Sequence, residues 1–236
     1  MTAEAAATVV LRHGIPRPLE LFLAAAAFVL ALPLVLLAAA AILATDGPPV
    51  FFRQERVGRG GKIFGLWKLR TMRNTRGSGP LVTSLGDRRV TPAGRILRRH
   101  KIDELPNLWS VLAGDLALVG PRPEVPLYVD LSDVRWQRVL EVRPGLTDPV
   151  TRRLLHEERL LATSMDDPES FYLEILLPWK LERYEEALRS RTPLGDLLVL
   201  AATVFPRSFS KEIVPVTIGE LRDPAAQRAP VRKALT

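Results

Sequence analysis

Residues 21–44 read LFLAAAAFVLALPLVLLAAAAILA, 24 consecutive positions without a charged or strongly polar side chain. At about 1.5 Å of rise per residue, a helix of this length is enough to cross a hydrocarbon core of about 30 Å. Pro33 divides the run into pieces of 12 and 11 residues, each too short to span alone once the proline has removed a backbone hydrogen bond. Both flanks are basic, with Arg12 and Arg17 before the run and Arg53, Arg56, Arg59 and Lys62 after it, so the positive-inside tendency draws both ends toward the cytoplasm. A re-entrant helix-break-helix hairpin in one leaflet, broken at Pro33, answers both constraints; a kinked spanning helix is the competing reading. A cleaved signal peptide fits poorly, because the run is long and Asp46-Gly47-Pro48-Pro49 is not a small-residue cleavage site. A buried soluble helix is rarely apolar on every face for so long.

The 236 residues leave room for one compact domain beside the membrane segment. The expected organisation is an N-terminal cytoplasmic segment 1–18, a membrane hairpin 19–46, a globular domain 47–218 and a disordered tail 219–236 with little apolar content. The fold class expected is α+β and mainly helical, with a short β-hairpin and interfacial amphipathic helices. Cysteine is absent, which removes disulfides, thiolate nucleophiles and Cys-based metal sites. His13, His100 and His156 lack any short ligand spacing. The net charge of +7 is unevenly spread: 14 Lys and Arg between residues 51 and 101 face only Glu55 and Asp87. That segment attracts nucleic acid, anionic headgroups or a phosphorylated small molecule, and composition does not choose among them.

Val50-Phe51-Phe52 and Ile63-Phe64-Gly65-Leu66-Trp67 flank the glycine-rich Gly58-Arg59-Gly60-Gly61, the pattern of a hairpin. The Gly-Gly-Lys is not a phosphate-binding P-loop, since Ile63 stands where Ser or Thr is required. Residues 74–86 are polar and read as a surface loop. A helix is expected to start near Pro106, with Leu105, Leu108, Trp109 and Leu112 on one face. Asp103 and Glu104 then stand just before a helix start, where an acidic residue is most often a simple cap. Their setting in a basic segment suggests more: two carboxylates can hold a divalent ion while arginines neutralise phosphate oxygens. Residues 166–191 read as an amphipathic helix interrupted at Pro178, packed on the core or facing the membrane. The apolar run 197–205 is too short to span and is expected at the bilayer surface.

The runs Phe51-Phe52-Arg53-Gln54-Glu55-Arg56-Val57-Gly58, Lys68-Leu69-Arg70-Thr71-Met72, Asp103-Glu104-Leu105-Pro106-Asn107-Leu108-Trp109 and Val119-Gly120-Pro121-Arg122-Pro123 resemble the bacterial sugar transferases known as monotopic phosphoglycosyl transferases. The resemblance extends from about residue 19 to 205, with the motifs in the family's order. It implies transfer of a phosphosugar from a nucleotide diphosphate sugar, usually a UDP-sugar, to polyprenol phosphate, with release of the nucleoside monophosphate. It makes Asp103 the nucleophile of a covalent ping-pong reaction and Glu104 its partner in metal or proton handling. Mg²⁺ is the implied cofactor, with Asp103 and Glu104 as its ligands. Arg98 matches a family arginine that contacts phosphate; Lys68, Arg70 and Arg122 are further candidates for that role. Asp87 matches a recurrent acidic position and reads equally well as a loop cap. By the same resemblance the location is the bacterial inner membrane, monotopic, with both termini and the catalytic domain cytoplasmic, and a homodimer is allowed.

Three departures stand out. Leu32 replaces a Ser common before the membrane proline, Lys101 replaces a frequent Ser, and Pro144-Gly145-Leu146-Thr147-Asp148-Pro149 leads into Arg152, Arg153, Glu157 and Glu158 instead of the usual continuation. The last looks like another branch of the family and bears on the choice of sugar rather than on the reaction; Leu32 leaves Pro33 to act alone at the break, and Lys101 adds a candidate phosphate contact. A membrane-anchored nucleic-acid-binding protein would also use the basic segment. It finds little support, because aromatic residues are only 6% and tandem carboxylates repel a phosphate backbone. A non-catalytic scaffold on the same fold is the third reading.

Overall fold

The computed structural model describes residues 13–73, 82–83, 86–154, 157–163, 167–206, 208 and 216–222. Helix α1, Arg17–Asp46, is entered through Pro16 and has Pro18 in its first turn, where a missing N–H costs nothing. The helix runs through Pro33 without interruption, where two separate helices were expected. A proline inside a helix removes one hydrogen bond and bends the axis, and an apolar run with no turn-forming side chains offers the backbone no alternative to continuing. Glu20, Ala24, Ala38 and Ile42 are buried along one stripe, with Leu23, Ala27, Phe28, Ala31 and Val35 partly buried beside them. The three- and four-residue spacing puts these side chains on one face. The other face exposes Phe22, Val29, Leu30, Leu36, Leu37 and Leu43.

Strands β1, Phe51–Val57, and β2, Ile63–Leu69, form the expected antiparallel hairpin, in register from Phe51 opposite Leu69 to Val57 opposite Ile63. Gly60 and Gly61 close it at φ of 67° and 78°, a left-handed region where a side chain is strained. Helix α2, Pro92–Arg99, is capped by Thr91, whose hydroxyl accepts from the Gly94 N–H at 2.9 Å. Lys101 follows at φ 56°, the one non-glycine residue with positive φ among the described residues, and feeds a single 3₁₀ turn, Ile102–Glu104. Helix α3, Asn107–Ala113, starts after Pro106 as expected. It buries Leu108 and Val111 but leaves Trp109 exposed, its ring 6.3 Å from that of Phe28 on α1.

The sequence did not suggest a second sheet. Strands β3, Ala117–Val119, and β4, Gly145–Thr147, pair in parallel, with helix α4, Val134–Val139, in the connection between them. They meet beyond the strand end at Gly120 and Gly145; a Cβ on Gly145 would lie 2.1 Å from the Gly120 nitrogen, so only glycine fits. Short helices α5, Pro149–Arg153, α6, Glu157–Thr163, and α7, Pro168–Phe171, lead into a π-helical turn, Tyr172–Leu176, and helix α8, Leu177–Ser190. Pro178 sits in the first turn of α8, so the expected interruption takes the form of a change of helix type. Helix α8 turns Trp179, Lys180, Leu181, Arg183, Tyr184 and Leu188 into the core. Helix α9, Pro193–Val204, is capped by Thr192; it buries Val199 and Ala202 and exposes Leu194, Val204 and Phe205. Helix α10, Ile218–Arg222, buries Leu221, so the first four residues of the segment expected to be a tail are helical. Residues 223–236, most of the loop 74–86, His156 and residues 1–12 lie outside the described residues.

Candidate active site

Three separate segments bring charge to one place. The 3₁₀ turn Ile102–Glu104 presents Asp103 and Glu104 and packs against β2, α2 and α1. Its shape is set by backbone bonds from Lys101 N to Arg98 O, Glu104 N to Lys101 O and Leu105 N to Ile102 O. Strand β2 contributes Lys68, whose Nζ lies 2.9 Å from Glu104 Oε1. The chain after β3 contributes Arg122, whose guanidinium meets the same oxygen at 2.6 Å. Glu104 therefore shares one oxygen between two cations.

Asp103 is 4% exposed, and its Oδ1 has no hydrogen-bond partner. Burial, and then the neighbouring charge of Glu104, raise its carboxyl above the ordinary aspartate range; Lys68, Arg98 and Lys101 oppose the rise. Glu104 goes the other way. Burial alone would raise it, but Arg122, Lys68 and Lys101 hold it well below the usual carboxylate range. Glu104 in turn raises the Arg122 guanidinium, while burial lowers the Lys68 ammonium against the pull of Glu104. The short contacts and the two cations on one oxygen make this an ionised cluster. Two adjacent carboxylates are thereby driven apart, one kept charged and the other made basic, the pattern that assigns distinct roles to a pair.

Arg98, on the last turn of α2, adds its charge to the field at Asp103 while its guanidinium pairs with Glu158 at 2.5 Å. Asp87 is held in a fork by Arg89, at 2.6 Å for the closest pair, and the Arg89 hydrogen bond lowers its carboxyl. That contact matches the loop-cap reading. Arg70 is placed elsewhere: its guanidinium donates to the carbonyls of Asp46, at 2.9 Å, and Gly47, at the C-terminal end of α1. Pro33 lies within α1, in sequence between the partly buried Ala31 and Val35. A cavity beside Glu104 is lined by Arg56, Asn107, Arg122, Gly145 and Leu146 among others. Arg56, Asn107 and Glu157 stand in the quoted runs with nothing to show that they reach the site, and Lys180 stands in none, because their meeting depends on tertiary packing; the Thr91-Pro92 pair, an N-cap followed by proline, is the signal that would have marked the start of α2.

Among the described residues no group of three or more His, Asp and Glu gathers as a complete metal shell. The donors present are the unpartnered Oδ1 of Asp103 and the second oxygen of Glu104. Mg²⁺ is commonly held by one or two carboxylates together with substrate phosphates and water, and this donor set fits such a shared ion.

The chain is similar to proteins of known activity. It is 47% identical over 136 residues, 56% of its own length, to a UDP-glucose:undecaprenyl-phosphate glucose-1-phosphate transferase of Caulobacter vibrioides. It is 40% identical over 131 residues, 51% of its length, to a UDP-N-acetylgalactosamine-undecaprenyl-phosphate N-acetylgalactosaminephosphotransferase of Aeromonas hydrophila. It is 32% identical over 147 residues, 56% of its length, to the exopolysaccharide production protein ExoY of Sinorhizobium fredii. These matches cover 51%, 30% and 65% of the three relatives, less than two thirds of each. The model for bacterial sugar transferases matches residues 11–172, a stretch that holds α1, both carboxylates and every cation around them. The paired carboxylates, their basic setting and the long apolar helix thus have a common explanation: the chain belongs to the bacterial sugar transferase family.

Proposed function

We propose that this protein transfers a phosphosugar from a nucleotide diphosphate sugar, most simply a UDP-sugar, to polyprenol phosphate at the bacterial inner membrane, as a first membrane step in polysaccharide or glycoconjugate synthesis. The observation that carries this reading is a buried Asp103 with an unpartnered oxygen beside a Glu104 held ionised by Lys68 and Arg122. An Asp103 oxygen attacks the sugar-bearing phosphorus; the bond to the bridging oxygen breaks, and UMP leaves with that oxygen and its electron pair. The phosphosugar is then an acyl phosphate on Asp103. A phosphate oxygen of polyprenol phosphate attacks the same phosphorus and returns the Asp103 carboxylate.

Carboxylate attack on a phosphate diester is opposed by like charge, so Arg98, Arg122, Lys68 and Lys101 have the task of neutralising the diphosphate. Desolvation strips Asp103 of the water that would otherwise quench its nucleophilicity. Mg²⁺ bound by the Asp103–Glu104 pair and the diphosphate would supply further charge neutralisation as a Lewis acid.

The topology we propose is re-entrant and monotopic, the continuous α1 entering and leaving one face of the bilayer by bending at Pro33, with both termini cytoplasmic. It is supported by contacts at both ends of α1 with the same domain: Glu20 accepts from the Leu118 N–H at 2.8 Å, and Arg70 grips the carbonyl of Asp46. A spanning helix would separate those ends by about 30 Å of hydrocarbon. Cysteines introduced at Thr2 and Gly60 should both be labelled from the cytoplasmic side, and labelling of position 2 only from outside would defeat this topology.

The reaction is tested by incubating purified protein with a panel of UDP-sugars, polyprenol phosphate and Mg²⁺ and measuring UMP. Without acceptor, intact-mass measurement should find one phosphosugar on the chain, on Asp103. Absence of UMP with every donor would favour the scaffold reading; UMP release without an adduct would replace the covalent route by direct transfer.

A further inference from the structure

Lys180 is 1% exposed, one of the most deeply buried charged side chains in the molecule, and it lies beyond the stretch 11–172 that defines the family match. Its Nζ stands 2.9 Å from Glu157 Oε1, 3.2 Å from the Tyr172 hydroxyl and 3.9 Å from Glu124 Oε1, and 4.6 Å from the centre of the Tyr172 ring. A buried ammonium is unfavourable unless its partners offset the lost hydration. Those partners lead back to the active site. Glu124 follows Arg122 by two residues; it accepts from the Tyr172 hydroxyl and lies 3.6 Å from Arg56. Glu157 opens α6, and its charge is felt by Arg122 and Lys101.

Arg122 therefore stands in the field of two carboxylates. It contacts Glu104 at 2.6 Å and is attracted by Glu157, while Arg56 and Lys68 repel it. An unpaired Glu157 would compete with Glu104 for this guanidinium, and Lys180 is the cation that pairs Glu157. We propose that Lys180 is a positioning residue: by holding Glu157 it leaves Arg122 on Glu104 and available to the substrate diphosphate. The first half of that statement concerns the ligand-free protein; the second rests on the transferase reading given above. Helix α8 is on this view part of the active-site machinery, with Lys180 acting through Glu157.

The test is a set of four variants of the full chain, each measured for UMP release and melting temperature. Lys180→Met keeps an unbranched stem one atom shorter and removes the charge; it should lower kcat/KM by about 10- to 100-fold, the range found when a partner that orients a metal ligand is removed. Lys180→Arg should retain most of the activity. Glu157→Gln combined with Lys180→Met should recover most of what Lys180→Met loses, because the competitor is gone, whereas a packing defect would not be repaired by a second substitution. A double variant no better than Lys180→Met, or losses that track melting temperature across the set, would overturn the proposal. Should Lys180→Met fail to fold, the double variant carries the test: near-native turnover supports the proposal and loss of turnover overturns it. A ligand-free structure of Lys180→Met, or of the double variant beside Glu157→Gln, separates this idea from the transferase reading. Arg122 swung toward Glu157 in the single variant supports positioning even if no donor yields UMP; Arg122 still on Glu104 overturns it whatever the activity.

Discussion

Helix α1 and the turn Ile102–Glu104 depart from the usual division of interior and surface in opposite directions. The helix leaves large apolar side chains in the open, Leu30 being 81% exposed, and buries a carboxylate, Glu20. The turn buries the carboxylate of Asp103 and surrounds Glu104 with cations. Neither arrangement suits water: exposed leucine and phenylalanine favour lipid, and a desolvated acid ringed by positive charge favours a phosphate. The comparison teaches that the charge on α1 fixes the helix to the domain, whereas the charge at the turn is gathered around one carboxylate, the arrangement that the proposed reaction would use.

Asp103→Asn should break the chemical half most completely, lowering UMP release by about 10³-fold or more and abolishing the adduct, as loss of a nucleophile does, while membrane association measured by flotation stays intact. Near-native turnover would remove Asp103 from the reaction. Arg98→Ala should cost about 100-fold, the scale of one lost charge-stabilising donor in a water-poor site, whereas Arg59→Ala in the hairpin turn should change little. Equal small losses in detergent, where anionic lipid is absent, would return Arg98 to a surface role.

Glu20→Ala probes the anchoring half. It strands the buried Leu118 N–H and leaves Arg17 and Arg143 without their carboxylate, and should lower stability by about 1–3 kcal/mol in thermal melts. Glu20→Gln keeps an acceptor and should lose less; a chemical loss larger than the stability loss would blur the division drawn above. The acid limb of kcat/KM sharpens the comparison from the other side. The proposed reaction would need Asp103 ionised, and its carboxyl is raised, so kcat/KM should fall as pH drops through a value above the ordinary aspartate range. Lys68→Met removes a cation that opposes the rise and should move the limb further upward. A limb that stays put would mean that another group sets it. The smallest effect expected is a few-fold fall in KM for Glu158→Gln, since Glu158 occupies Arg98 and a diphosphate must displace it. A rise in KM would show that Glu158 orients Arg98 instead.

The sequence made local features readable and tertiary ones not. The hairpin was legible because Gly58 to Gly61 and the flanking β-formers act within a dozen residues, and the start of α3 because Pro106 favours a first turn. Asp103 and Glu104 stood out through their motif, but their opposite electrostatics come from Lys68 and Arg122, which lie far from each other in sequence. Arg70 shows the limit well. As a basic residue in the same motif it reads like Lys68, yet its place just past β2 and the loop before β1 aim it at the α1 carbonyls. At Pro33 the composition announced a missing hydrogen bond and left open whether the helix would stop or continue. The β3–β4 pair was invisible because three-residue strands carry too little alternation to mark them.

The grip of Arg70 on the end of α1 has a mechanical side. Lys68, two residues earlier and inside β2, holds the carboxylate of Glu104, so the end of β2 joins α1 to the charged centre over three consecutive residues. A change in the tilt of α1, the adjustment a helix makes to bilayer thickness, would therefore be felt first at Arg70 and, two residues away, at the ion pair of Glu104.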